Sequence, residues 1–195
     1  MSRPTQQQPP GGEVGQMWYP PKVTARTTEP VSLEEAKRQL NVFHDDDDLL
    51  IGALIASAVD HVEKYTATAI AVQTIEAKCD SFADFAHVPV APLTSVAISY
   101  VDTDGASQTV ASADYELRAD GLQVSIVPAY GKQWPAKRLG SRITVTAQAG
   151  YETAPPAIKH AVLLWVADAY ERRENSVDEG FSAFDALLCN FRRNL

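Results

Sequence analysis

Ile51, Ile55, Ala58, Val62 and Tyr65 recur at steps of four and three, a spacing that lines one face of an α-helix and requires that face to be buried. A second such face, Ile158, Val162, Trp165, Val166 and Ala169, lies towards the other end of the chain. Between them the pattern changes to short β-like runs at 94–101, 115–117, 122–127 and 142–149, punctuated by turn residues. Helices flanking a β-rich section predict an α+β fold, with a small helical bundle from residues 32–65 and 156–190 and an antiparallel hairpin insertion over about 72–150.

Local signals set the expected boundaries. Ser32 and Glu35 have capping-box spacing, so a helix is predicted over about 32–41. Asp47 or Asp48 is predicted to cap a second helix over about 47–66, its oxygens taking unpaired N–H groups beside the positive end of the helix dipole. Asp104-Gly105 and Asp120-Gly121 predict two hairpins. Pro155-Pro156 opens a third helix, over about 156–174, because proline is tolerated in the first turn.

A chain of 195 residues suits one domain carrying an elaborated insertion. Cys79 and Cys189 are too few for a disulfide framework and lack paired metal-ligand spacing. No run of about 18 apolar residues occurs, and Gln and Pro stand where a signal peptide needs an apolar stretch, so a soluble, unsecreted protein without membrane contact is expected. The net charge of -8 opposes general nucleic-acid binding, which needs clustered Lys and Arg. Residues 1–30, rich in Gln, Pro and Gly, predict an extended or disordered arm. Trp18 and Tyr19 within it either anchor on a neighbouring subunit or fold back onto their own domain.

Three further clusters carry candidate contacts. The acidic run Asp45, Asp46, Asp47 and Asp48 reads as a solvated helix cap or as the lining of a channel; it lacks the alternating ligands, central Gly and distant Glu of a calcium loop. Lys132, Lys137, Arg138 and Arg142 with Tyr130 and Trp134 form a basic, aromatic-interleaved loop. That loop suits an acidic neighbour across an interface, a single-stranded nucleic acid, or solvent. Phe181, Phe184, Leu187, Leu188 and Phe191 have helical spacing behind a polar linker, and Arg192 and Arg193 follow. They form either a core helix or a detachable docking helix. His44, His61, His87 and His160 are scattered, and there is no Gly-rich phosphate loop and no Gly-x-Ser-x-Gly elbow, so neither catalysis nor a cofactor is expected.

In order along the chain stand Leu33-Glu-Glu-Ala-Lys37, an acidic stretch opening a helix that ends at Glu63-Lys-Tyr-Thr66, the Tyr100 to Gly105 hairpin and Trp134-Pro135. Gly150-Tyr151, Pro156 and Tyr170-Glu-Arg-Arg-Glu174 complete the set. This series resembles the head–tail connector (adaptor) family of long-tailed bacteriophages and gene-transfer particles over most of residues 20–175. The resemblance implies a connector domain at 31–175, preceded by the arm and followed by a linker and docking helix at 176–195. It implies a non-enzymatic virion protein, made in the host cytoplasm and forming a homo-oligomeric ring of twelve copies. That ring would sit beneath the portal protein and meet a stopper or tail-completion protein, while DNA passes through unread. The docking helix and Arg192-Arg193 would meet the portal or a neighbour. Trp18, Tyr19, Lys132, Trp134, Lys137 and Arg138 would lie between subunits, and Asp45 to Asp48 would face the channel. The alternative from a different class is a nucleic-acid-binding module using residues 130–142; more distant is a carboxylate-metal enzyme at the aspartates.

Overall fold

The computed structural model describes residues 18–27, 29–172 and 182–193. In chain order the elements are β1 (Lys22–Arg26), α1 (Leu33–Leu40), α2 (Asp48–Thr66), β2 (Gln73–Cys79), β3 (Leu93–Val101), β4 (Ser107–Thr109), β5 (Tyr115–Asp120), β6 (Gln123–Pro128), β7 (Ile143–Ala149), α3 (Pro156–Arg172) and α4 (Ala183–Leu188). The fold is α+β, as the two periodicities predict.

The Ser32 hydroxyl accepts from the Glu35 N–H and the Glu35 carboxylate accepts from the Ser32 N–H, so the capping box opens α1. Asn41 closes it in the left-handed conformation that asparagine tolerates. Start of α2 differs from expectation: Asp47 occupies the cap position, yet its side chain makes no cap hydrogen bond. Its carboxylate instead accepts from the Tyr170 hydroxyl of α3 at 2.6 Å, and Asp48 binds Lys37 of α1. The acidic residues tie three helices together, a tertiary demand that overrides the local cap.

Five antiparallel strands form one sheet in the order β1-β2-β7-β3-β4, and β5 pairs with β6 across the Gly121-Leu122 turn. Strands β2 and β7 run in unbroken register from Gln73↔Ala149 to Cys79↔Ile143. Both alternate, placing Ile75, Ala77 and Cys79 inward beside Ile143, Val145 and Ala147. Val124 and Ile126 of the β5–β6 hairpin, with Phe85 and Ile98, complete that core. A second core lies between the helices, where Ile51, Ile55, Ala58, Val59 and Val62 of α2 meet Ile158, Ala161, Val162 and Val166 of α3.

Part of the N-terminal segment, predicted as an extended or disordered arm, joins the sheet. Residues 22–26 form the edge strand β1 on β2, because the β2 backbone offers an unpaired row of N–H and C=O groups that an extended segment satisfies. Residues 1–17 lie outside the described residues. The two halves meet at Glu63 of α2. Its carboxylate accepts from the Ile70 N–H at 2.8 Å and from Gln73 Nε2 at 3.0 Å, and pairs with Arg26 of β1 at 2.8 Å. One partly buried carboxylate thereby fixes the helix end, the link and two strands.

Candidate functional site

The described surface presents one acidic corner, one basic loop and a C-terminal segment. At the α1–α2 corner, Lys37 holds Asp45 and Asp48, each at 2.7 Å, and these hydrogen bonds push the lysine pKa up and the Asp45 pKa down. Asp46 reaches into solvent with His44 at 3.7 Å. Around these charges Phe43 and Leu49 are almost wholly exposed, at 85% and 91%. Sequence reasoning passed over both, since an apolar residue beside a helix start ordinarily turns inward; their separation from the 51-55-58-62 face is the signal that could have found them.

In the basic loop after β6, Lys132 pairs with Asp114 at 2.9 Å and the Lys137 ammonium donates to the Ser141 carbonyl. The backbone N–H of Arg138 donates to the Val101 carbonyl, pinning the loop to β3, while its side chain stands exposed. Trp134 is half-buried: it lies flat on Phe82 at 4.9 Å and edge-on to Phe85, packed against the sheet core. Tyr130 and Leu139, in contrast, are fully exposed.

Trp18 and Tyr19 take the fold-back alternative. Trp18 stacks on Phe85 and donates through Nε1 to the Asp84 carbonyl at 3.0 Å. The guanidinium of Arg142 covers the Tyr19 ring at 4.1 Å.

The C-terminal segment is a core element. Leu188 is completely buried between α2 and α3, and Phe184, Leu187 and Phe191 pack against the same core. Phe181 and residues 173–180 lie outside the described residues. Arg192 covers the Tyr65 ring, and Arg193 donates to the Val88 carbonyl, so neither matches the free contact expected of a detachable helix. Together with His87 and Arg118 these arginines line a cleft of about 700 Å³ that no sequence spacing announces. The Asp185 carboxylate accepts from the Ser182 hydroxyl at 2.6 Å and from the Tyr65 hydroxyl at 2.7 Å. These bonds, the serine's first, hold its pKa down to about 2.

A depressed folded-state pKa contributes stability above the unfolded value near 3.9 and loses it as pH falls towards 2. Asp185→Asn should therefore be less stable than the parent at pH 6 and show a smaller further loss between pH 4 and 2.5. Thermal melts at those values check this; parallel acid profiles for the two proteins would contradict it.

No group of three or more His, Cys, Asp or Glu is placed to hold a metal ion among the described residues. His61 packs among Tyr65, Trp165 and Phe184. Cys79 is buried and its thiol is pushed up to about 12, chiefly by desolvation, whereas Cys189 is exposed. No helix among the described residues is long and apolar enough to cross a membrane.

Residues 30–123 match the family model of the phage gp6-like head-tail connector protein. That match spans a little under half of the chain. It includes the capping box, the acidic corner, α2 and the sheet as far as the start of β6. A likeness of fold to solved structures extends over nearly the whole chain. A chain in the neck of an empty GTA particle computed with C6 symmetry is 23% identical with a TM-score of 0.74, covering 92% of this chain and 97% of that one. A chain in the virion of the native gene transfer agent (GTA) particle is 21% identical, TM-score 0.74, with coverage of 90% and 97%. A third, in the neck of the native GTA particle computed with C12 symmetry, is 22% identical, TM-score 0.67, with coverage of 89% and 97%. At these identities the likeness is one of fold. No curated protein matches the chain.

Proposed function

We propose that this connector is a non-enzymatic part of the neck of a phage-like particle, its copies forming a ring beneath the portal that joins the DNA-filled head to the stopper or tail. The observation that carries this reading is the family match at 30–123 lying inside a fold shared almost end to end with chains from particle necks. The symmetries named for those necks, sixfold and twelvefold, support a ring. Twelve copies at -8 each carry a summed charge of about -96, which repels phosphate and keeps passing DNA from adhering. Asp45 and Asp46, with exposed carboxylates, are suited to face a bore or a neighbour. The stacking of Trp134 on Phe82 weighs against the nucleic-acid module, because a stacking platform needs an open ring.

Native mass spectrometry of the protein alone and mixed with the portal ring encoded beside it tests the proposal. The expected result is a stoichiometric complex of many copies per portal, twelve for a dodecamer, without nucleic acid. A monomer that ignores the portal would overturn it.

A further inference from the structure

We propose that, in the ring, the basic loop over 129–142 of one copy docks on the acidic α1–α2 corner of the next. The inference rests on the ring reading and adds which two faces meet. A closed ring needs heterologous contacts, in which one patch on each subunit fits a different patch on its neighbour. The corner belongs to the helical half and the loop to the sheet half, so one copy can offer each to a different neighbour.

Their charges are complementary. The corner carries four aspartates with Lys37 offsetting one charge, and the loop carries Lys132, Lys137, Arg138 and Arg142 with Asp114 offsetting one, leaving three of each sign. Arg138 has no ion pair among the described residues. Their apolar parts match as well. Phe43 and Leu49 on one side, and Tyr130 and Leu139 at 101% and 98% exposure on the other, are four of the six large hydrophobics left exposed among the described residues. Each pair sits amid charge, the arrangement of an interface with an apolar centre and a polar rim. The Arg138 N–H bond to Val101 and the Lys137 bond to Ser141 hold the loop in shape before docking, reducing the ordering cost of association.

Cysteine pairing on portal-bound rings tests the contact. In a Cys189→Ser background, with Cys79 buried, Leu49→Cys combined with Leu139→Cys should give a ladder of disulfide-linked oligomers on mild oxidation, and either change alone should leave monomers, its thiol facing a leucine of the neighbour. Independently, Arg138→Asp or Asp46→Arg should lower ring occupancy on the portal about tenfold, and the two together should restore it to within about twofold. Circular dichroism of each variant confirms that the subunit is folded. Rings that fill normally, give no ladder and ignore both charge reversals would overturn the proposal while leaving the ring reading intact. Absence of rings from the unaltered protein would overturn both.

Discussion

Gly150→Ala is expected to break the junction between the sheet and the helices. Gly150 follows β7 with φ +106, a conformation that L side chains rarely adopt. An added Cβ would stand 2.0 Å from the Ala71 carbonyl oxygen and 2.5 Å from its carbon. Those are backbone atoms, and they cannot swing aside as the tip of a side chain does. Ala71 is itself buried between the Glu63 contacts and the start of β2. The Gly150 N–H donates to the Pro92 carbonyl and the Tyr151 N–H to the Ile70 carbonyl, so a shift of the chain also breaks hydrogen bonds on both sides. Overpacking and backbone strain together should cost about 4 kcal/mol or more. For a chain of this size that lowers Tm by roughly 10 °C. Gly105 is the control. Its φ of +89 is also left-handed, but nothing lies within 4 Å of an added Cβ, so Gly105→Ala should cost only about 1–2 kcal/mol. Calorimetry of the two variants measures the difference; equal melting temperatures would show that the approach of Ala71 is relieved cheaply.

Removing residues 182–195 should unfold the helical half rather than release an independent docking element. The segment contributes the fully buried Leu188 and the Phe184 ring, 5.6 Å from both Tyr65 and His61. It also contributes the Asp185 acceptor for Tyr65, and the Arg193 N–H that closes on the Thr66 carbonyl at the end of α2. Leu188→Ala alone should cost about 3 kcal/mol, the transfer term plus the cavity left between α2 and α3. The truncation, which removes the partly buried aromatics too, should exceed about 5 kcal/mol and lower Tm by more than about 10 °C. Of the two roles the sequence leaves open, core helix and detachable docking helix, this packing favours the first. A truncated protein with unchanged Tm and no portal binding would restore the detachable helix. Arg192→Glu, on the exposed side, should leave Tm within about 1 °C and so separates surface contacts from the core.

The readings that held depend on groups close together in sequence. A capping box needs only Ser32 and Glu35, a hairpin only the residues around Asp104-Gly105 or Asp120-Gly121, and the buried stripe of α2 only a repeat of 3.6 residues. Their geometry follows from steric and hydrogen-bonding rules that act within a turn or two. The family resemblance was legible for the same reason, because its motifs are short and ordered along the chain.

The readings that changed concern partners far apart in sequence. Asp47 had the right residue type for a cap, but α3 brings the Tyr170 hydroxyl to it across 123 positions. The composition of residues 1–30 resists helix and sheet, yet β2 offers residues 22–26 a sheet edge. Trp134 stands among cations in sequence and against Phe82 in space. The spacing of Phe181 to Phe191 suits a core helix and a detachable one equally, and only the packing of Leu188 with the α2 and α3 side chains separates them. The sequence by itself determined the helices, the turns and the match to the connector family model over residues 30–123. Only the tertiary structure decided which side chains are spent inside the subunit and which, such as Phe43, Leu49, Tyr130 and Leu139, stay outside it. The physical reason is that burial and long-range hydrogen bonding belong to the surface a neighbouring element presents, and no local spacing encodes that surface.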